Sequence, residues 1–506
     1  MQLLSKELLQ STLLSRETGL DKHLFELPER AVQFGEGNFL RAFVDWMLHR
    51  LNIKGYFNGR VVVIQPIEKG TIAELNEQDG LYTIIQRGLQ DGKPVEATEI
   101  ITSISRGINP YEDWEGVLKC AEDPNIEFVF SNTTEAGIDY DPEDSSQFEP
   151  PQSFPGKLTV YLYHRFRHFN GEPSRGMIII PCELIDKNGD TLKRIVLQLA
   201  KSWNYPQNFI EWILNNNQFL NSLVDRVVPG FPKTEIDDIT ESLGYEDKLL
   251  CISEFYHLWA IEGSNKLGEK LPFNKVGLNV IWTDNLTAYR TRKVRILNGA
   301  HTASVPGAYL YGVDMVNEMM EHEILGRFTK DLIYEEVIPS IDNNKEVLEK
   351  YAGTVFERFT NPYIKHNILS ILLNSTSKYK TRVLPSILEY HAKFNILPTR
   401  LTYSLALLIS LYKDGIVHGS EMIAKRDKGN FVLEDDLDAL KFFEDAWRGF
   451  DGTQSSLSEL SFKVLGNEKL WGTNLNEVQG LTDMVSMYLH GIVFQGVKKM
   501  YEQFIL

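Results

Sequence analysis

The chain alternates short apolar runs with longer stretches in which apolar positions recur every three or four residues. Ala31–Phe34 is a compact apolar run that predicts a buried strand. Gly35 and Gly37 follow. From Asn38 onward Phe39, Ala42, Phe43, Trp46, Met47 and Leu51 recur at helical spacing, so strand, tight turn and helix follow one another. Val61–Ile64 is β-branched throughout and suits a parallel strand covered on both faces. Leu81–Ile85, Ile126–Phe130 and the segment GMIIIPCEL read as further strands, and YEDWEGVLKCAED and KLTVYLYHRF as helices. The alternation predicts an α/β fold, with an N-terminal doubly wound, Rossmann-like dinucleotide-binding domain over residues 1–285. Residues 1–28 read as polar helix and lead-in. Beyond residue 285 the texture changes. HEILGRFTKDLIYEEVIPSI, NILSILLNSTSKY and TRLTYSLALLISLYK have helical periodicity and few β-branched runs, which predicts a mainly α-helical C-terminal domain over 286–506. No repeat of solenoid spacing occurs.

Composition narrows the partners. Of 506 residues, 43% are hydrophobic and 24% charged, as in ordinary globular proteins. Acidic residues outnumber basic ones 69 to 52, giving a net charge of -17, which disfavours nucleic acid and leaves small molecules as the expected partners. The three cysteines, Cys120, Cys182 and Cys251, are too scattered for a disulfide framework or a cysteine-based zinc site. The N-terminus lacks the apolar core and cleavage site of a signal peptide, and no apolar run is long enough to span a bilayer. The expectation is a reduced, cytoplasmic protein that does not bind membranes. Oligomeric state is not legible.

Three segments carry candidate chemistry. Phe34-Gly35-Glu36-Gly37-Asn38-Phe39-Leu40 joins the first strand to its helix. Glycine permits a tight turn there, and the helix amides beyond it face an anion such as a pyrophosphate. The usual dinucleotide fingerprint has Gly or Ala where Leu40 stands, so the match is incomplete, and an ordinary tight turn is the alternative. The second strand ends Ile64-Gln65-Pro66-Ile67-Glu68, with no acid directly at its tip and no arginine for a 2′-phosphate, which favours NAD over NADP weakly. SNTTEAG follows another strand. Ser131, Asn132, Thr134 and Glu135 would therefore lie at the carboxyl edge of the sheet, where they contact a nucleotide or serve as a polar turn.

The third segment is KVRILNGAHT. On an α-helix at ~100° per residue Asn298 and His301 share a face, with Lys293 inside an arc of roughly 140°. A lysine whose pKa is lowered by burial gives a proton to an alkoxide or takes one back, and an asparagine and a histidine donate to the same oxygen. No metal is then needed. Read from spacing alone, a turn at Asn298-Gly299 with a solvated Lys293 and a structural His301 carries equal weight.

Taken together these segments resemble the polyol-specific long-chain dehydrogenases, the family of mannitol dehydrogenase and the hexuronate oxidoreductases. The K-x-x-x-x-N-x-x-H signature is matched by Lys293, Asn298 and His301, and G-x-G-x-F-x-R-A by Gly35, Gly37, Phe39, Arg41 and Ala42. V-D-R is matched by Val224, Asp225 and Arg226, and the N-P and S-K segments by Asn361, Pro362, Ser377 and Lys378. The resemblance implies NAD as cofactor and a metal-independent hydride transfer with Lys293 as general acid/base, Asn298 and His301 at the reacting oxygen, and Asp225 tuning the lysine or else held in an ion pair. It points to the hexuronate branch, hence a keto-uronate reduced to its aldonate. Cys182-Glu183-Leu184 stands where mannitol dehydrogenases have Cys-Asp-Asn, so that asparagine's role is not carried over, and Ser370 stands where polyol enzymes have an arginine. A uronate carboxylate needs cations. Lys378, Arg382 and His366 are the candidates chosen, ahead of Lys365 and Arg358. The sister keto-uronate epimer, a simple polyol and a non-catalytic nucleotide sensor are the alternatives.

Overall fold

The computed structural model describes residues 1–11, 21–90, 92–133 and 137–504. Contacts divide the chain into two compact units, Met1–Leu286 and Thr287–Leu506.

The first unit is built on six parallel strands: β1 (Glu29–Phe34), β2 (Arg60–Ile64), β3 (Ile104–Ile108), β4 (Phe128–Ser131), β5 (Ile178–Pro181) and β6 (Gln218–Phe219). Their order is β3-β2-β1-β4-β5-β6. The order reverses between β1 and β4, and in such sheets the crevice at the carboxyl ends of those two strands is where ligands bind. The strands read as continuous apolar runs because alternate residues feed two cores. Ala31, Val61, Val63, Phe128 and Phe130 pack on the side of the helix over 38–53. Val32, Phe34, Val62, Ile64 and Val129 pack with the helices Trp114–Glu122, Phe154–His168 and Asn188–Ser202 on the other. This is the doubly wound arrangement expected.

Two local readings change. The strand expected at Leu81–Ile85 runs Tyr82–Gln90 and lies outside the main sheet, in a three-stranded sheet with Lys93–Ile101 and Cys251–Ser253. The hairpin pairing with Lys93–Ile101 decides this, and a local apolar run gives no sign of it. The third strand of the main sheet, Ile104–Ile108, carries Arg106 and Gly107 and so gives no continuous apolar signal.

The second unit is mainly helical, as expected. Its central helices are Gly299–Tyr311 and Thr399–Leu411, the latter buried continuously from Leu401 to Leu411. They cross closely because Gly307 has no side chain: a Cβ there would stand 2.6 Å from Leu407 Cδ1. The unit also holds an antiparallel sheet, Ile416–His418, Glu421–Arg426 and Gly429–Glu434, which the sequence reading missed. Buried and exposed positions alternate along these strands, but Ile423 and Val432 put apolar side chains on the exposed face, which hides the period. Among the described residues no helix is long and apolar enough to cross a membrane.

Candidate functional site

The glycine turn of the first unit is shaped by conformation and by crowding. Gly35 has φ +121°, and a Cβ there would meet the Asn132 carbonyl oxygen at 3.0 Å and Leu40 Cδ1 at 3.1 Å. A side chain fits neither the backbone angle nor the space. Leu40 is 1% exposed and fills the space beneath the turn, which explains why the third glycine of the fingerprint is absent. Gly37 begins the helix with no side-chain cap, and a Cβ there would meet nothing within 4 Å. The helix thus starts without a capping side chain and with room beside Gly37, as an anion site requires. Arg41 fastens the turn from inside. It donates to Glu36 O at 3.0 Å, to Asn38 Oδ1 at 2.7 Å and to Leu249 O. The sequence reading noted Arg41 only as a motif match. Phe39 stacks on Phe43, with ring centroids 4.9 Å apart. Phe34 is buried against Phe154, so only its backbone reaches the turn.

At the tips of β4 and β5 the polar loop is spoken for. Ser131 Oγ donates to Glu183 Oε2 at 3.1 Å, and Asn132 Nδ2 to Cys182 O at 2.8 Å. Thr133 gives both its N–H and its hydroxyl to Glu183 Oε1, each at 3.0 Å. The Ser131 hydroxyl thus spends its proton on Glu183 and keeps only acceptor capacity for a nucleotide, and the Asn132 amide nitrogen is likewise held. Burial raises the Glu183 pKa, against these hydrogen bonds, which lower it. Glu183 is a positioning residue that the sequence reading named only as part of a departure from the family motif. A buried acid two residues beyond an all-apolar strand was the available signal. Thr134 and Glu135 lie outside the described residues. Asp225 ends the strand Ser222–Asp225 of this unit and is buried, while its neighbour Arg226 donates to Glu254 O and Ala42 O and lies 4.3 Å from the centre of the Trp46 ring.

In the second unit, Lys293–Asn298 is a π-helical turn, with the α-helix Gly299–Tyr311 continuing from it. The α-helical arc assumed for Lys293 is thus corrected. The wider i→i+5 turn brings residues five apart, Lys293 and Asn298, toward one line along the helix. Asn298 and His301 then keep their three-residue spacing. Asn298-Gly299 is helical, not a turn, and a Cβ on Gly299 would come within 3.2 Å of Arg382 O. Lys293 and Asn298 are half-buried. Arg295 anchors the turn through a two-pronged pair with Glu389, at 3.0 Å to each oxygen, and through Ser386 Oγ at 2.6 Å.

His301 is buried. Its ring stacks on Phe359 at 4.0 Å and meets His366 edge-on at 5.2 Å. Burial pushes its pKa well below the usual histidine value, and His366, Arg358, Arg382 and Lys378 push it further the same way. The imidazole is neutral, and Nε2 has no hydrogen-bond partner among the described residues. Lys378, Arg382 and His366 thus bear on His301, as does Arg358, and burial lowers the His366 pKa, so its ring favours the neutral form and acts as a donor and not a cation. Lys378 and Arg382 lie one turn apart on the helix Ser375–Arg382, with Lys378 Nζ on Ile371 O at 2.9 Å and Arg382 Nη1 3.4 Å from Thr302 Oγ1. Lys365 is exposed. Ser370 is exposed and bonds to Asn367 O, and Leu184 is exposed. Among the described residues no three His, Cys, Asp or Glu side chains gather as a metal site would need.

Comparison with known proteins gives the same outline. The chain matches the mannitol dehydrogenase Rossmann domain over residues 29–275 and the mannitol dehydrogenase C-terminal domain over 285–493. It is 45% identical to an altronate oxidoreductase of Bacillus subtilis over 96% of this chain and 97% of that one. It is 44% identical to the altronate oxidoreductase of Halalkalibacterium halodurans over 94% and 93%. Among solved structures, D-sorbitol dehydrogenase in substrate-free form superposes with a TM-score of 0.77 at 20% identity, covering 98% of this chain and 99% of that one. Mannitol 2-dehydrogenase of Pseudomonas fluorescens, solved with NAD and D-mannitol, gives 0.71 at 19% identity over 100% and 99%. From its Rossmann sheet to its helical C-terminal half, the chain belongs to the mannitol dehydrogenase family.

Proposed function

We propose that this chain is an NAD-dependent oxidoreductase that reduces D-tagaturonate to D-altronate, reversibly, with Lys293 as general acid and base. The name shared by its 41–45% identical relatives supplies the substrate. The observation that carries the reading is the buried His301, whose Nε2 has no hydrogen-bond partner among the described residues, set among His366, Arg358, Arg382 and Lys378. A keto-uronate offers the two groups such a cluster suits, a carbonyl oxygen for neutral donors and a carboxylate for cations.

The glycine turn fits the cofactor, because uncapped amides and open space at Gly37 suit a pyrophosphate. Gly35–Leu40 and the backbone at Phe34 would hold it, with the Ser131–Thr133 loop positioned by Glu183. When bound, the reduced nicotinamide supplies the hydride for the keto carbon. The chain's own residues manage the oxygen. Asn298 donates from its amide and His301 from one ring N–H as negative charge develops there. The Lys293 ammonium gives its proton to the forming alkoxide, leaving a hydroxyl, and is reprotonated from water. Arg382 and Lys378 pair with the carboxylate, and His366 donates a hydrogen bond to it. Because His301 is neutral it does not compete with Lys293 as the acid. A cytoplasmic setting accords with three buried, unpaired cysteines.

The test is to follow NADH absorbance with D-tagaturonate, D-fructuronate and D-fructose in parallel. Preference for D-tagaturonate is expected. Preference for D-fructuronate would move the assignment to the sister activity, and NADH binding without turnover of any of them would overturn the catalytic reading.

A further inference from the structure

Dinucleotide-binding folds usually hold the adenosine ribose with an acidic residue at the tip of the second strand. Here β2 ends at Ile64, and Gln65, Pro66 and Ile67 follow. The Gln65 amide is spent within its own loop, donating to Ile67 O at 2.8 Å and Glu68 O at 3.0 Å. The usual acid is missing from its usual place.

An acid reaches the same loop from the neighbouring strand. Glu36 sits between the two glycines that follow β1, and β1 pairs with β2 through Phe34 and Ile64. Its side chain turns toward the loop after β2. A Cβ on Gly70 would lie 2.1 Å from Glu36 Oε1 and 2.4 Å from Gln65 Oε1, and the Thr71 N–H bonds to the carboxylate. Glu36 is 9% exposed, yet its Oε2 is buried with no hydrogen-bond partner among the described residues. A buried carboxylate oxygen without a donor is costly, and a ligand hydroxyl would relieve that cost. The nearby Arg41 guanidinium acts on this carboxylate only through space, since its hydrogen bonds go to Glu36 O, Asn38 Oδ1 and Leu249 O. Ile67, 63% exposed on the same loop, offers apolar surface of the kind an adenine ring covers.

We propose that Glu36 replaces the missing strand-tip acid: Oε2 accepts a hydrogen bond from the adenosine ribose 2′-hydroxyl, and the carboxylate excludes a 2′-phosphate. This rests on the dehydrogenase reading above and names the residue that sets NAD over NADP. Oε1 lies against Gly70 and the carboxylate takes the Thr71 N–H, which leaves Oε2 for the ligand. The exposed Glu68 and Lys69 on that loop carry opposite charges.

The experiment is equilibrium titration of the full chain by nucleotide fluorescence, which needs no turnover. Wild-type protein is expected to bind NADH more tightly than NADPH. Glu36→Gln, nearly isosteric, is expected to narrow that ratio by about tenfold or more, the weight of one charged hydrogen bond. A second arm needs no variant: wild-type protein is expected to bind the 2′-deoxyadenosine analogue of NADH about tenfold more weakly than NADH. Nucleotide binding with an unchanged NADH:NADPH ratio in Glu36→Gln, or with the 2′-deoxy analogue bound as tightly as NADH, overturns this assignment alone. Absence of any nucleotide binding by the wild type overturns the dehydrogenase reading and this one with it.

Discussion

Glu183 Oε1 accepts both the N–H and the hydroxyl of Thr133, each at 3.0 Å, so one buried carboxylate at the tip of β5 fixes the loop at the tip of β4. Its other oxygen takes Ser131 Oγ. Removing it leaves three donors without an acceptor. Glu183→Ala is expected to weaken NADH binding by about tenfold, and to speed amide exchange at Thr133. Unchanged affinity and exchange would show that the loop holds its shape by other means.

Lys293 leads the π-turn whose other end is Asn298. Lys293→Ala is expected to lower kcat by about a thousandfold, within the range of general acid–base catalysis. The NADH dissociation constant should change little, because the lysine acts on the substrate oxygen. Near-normal kcat would remove Lys293 as the acid.

Arg382 and Lys378 both bear electrostatically on His301. Arg382→Ala is expected to raise KM for D-tagaturonate by about tenfold or more, with little effect on the NADH dissociation constant. A ketose without a carboxylate should be turned over no worse than by wild type. An unchanged KM for the keto-uronate would remove Arg382 from the carboxylate site.

At Gly35 the backbone angle of +121° and the Asn132 carbonyl both oppose a side chain. Gly35→Ala is expected to cost about 1–3 kcal/mol of stability, read as a lower Tm, and to weaken NADH binding because the turn must shift. A variant with wild-type Tm and affinity would show that the turn accommodates a methyl group.

His49 is 1% exposed, and its Nδ1 accepts the Thr102 N–H at 3.3 Å, which requires the neutral ring. Burial lowers its pKa from 6.5 to about 3. Below pH 6.5 the unfolded chain protonates this residue while the folded chain does not, so stability falls as pH falls from 6.5 toward about 3. Relative to His49→Gln, the wild type is expected to lose about 1.4 kcal/mol per pH unit across that window. Chemical denaturation of both proteins at several pH values checks it, and parallel pH profiles would contradict it.

The sequence by itself determined the local elements and the order of the motifs. Val61–Ile64 reads as a doubly covered strand, and Gly35 and Gly37 as the turn from a strand into a helix, because side-chain periodicity and backbone freedom are local properties. Lys293, Asn298 and His301 stood out only through the family signature, since their spacing alone left a turn with structural residues equally open. Tertiary structure decided the rest. It widened the turn at Lys293–Asn298, took Tyr82–Gln90 out of the main sheet, and committed Ser131 to Glu183. It also gathered Arg358, His366, Lys378 and Arg382 from separate stretches around one histidine. Which polar atoms have no partner among the described residues, Glu36 Oε2 and His301 Nε2 among them, depends on what packs against them. Burial and pairing arise between segments far apart in the chain, and a local pattern carries no record of them.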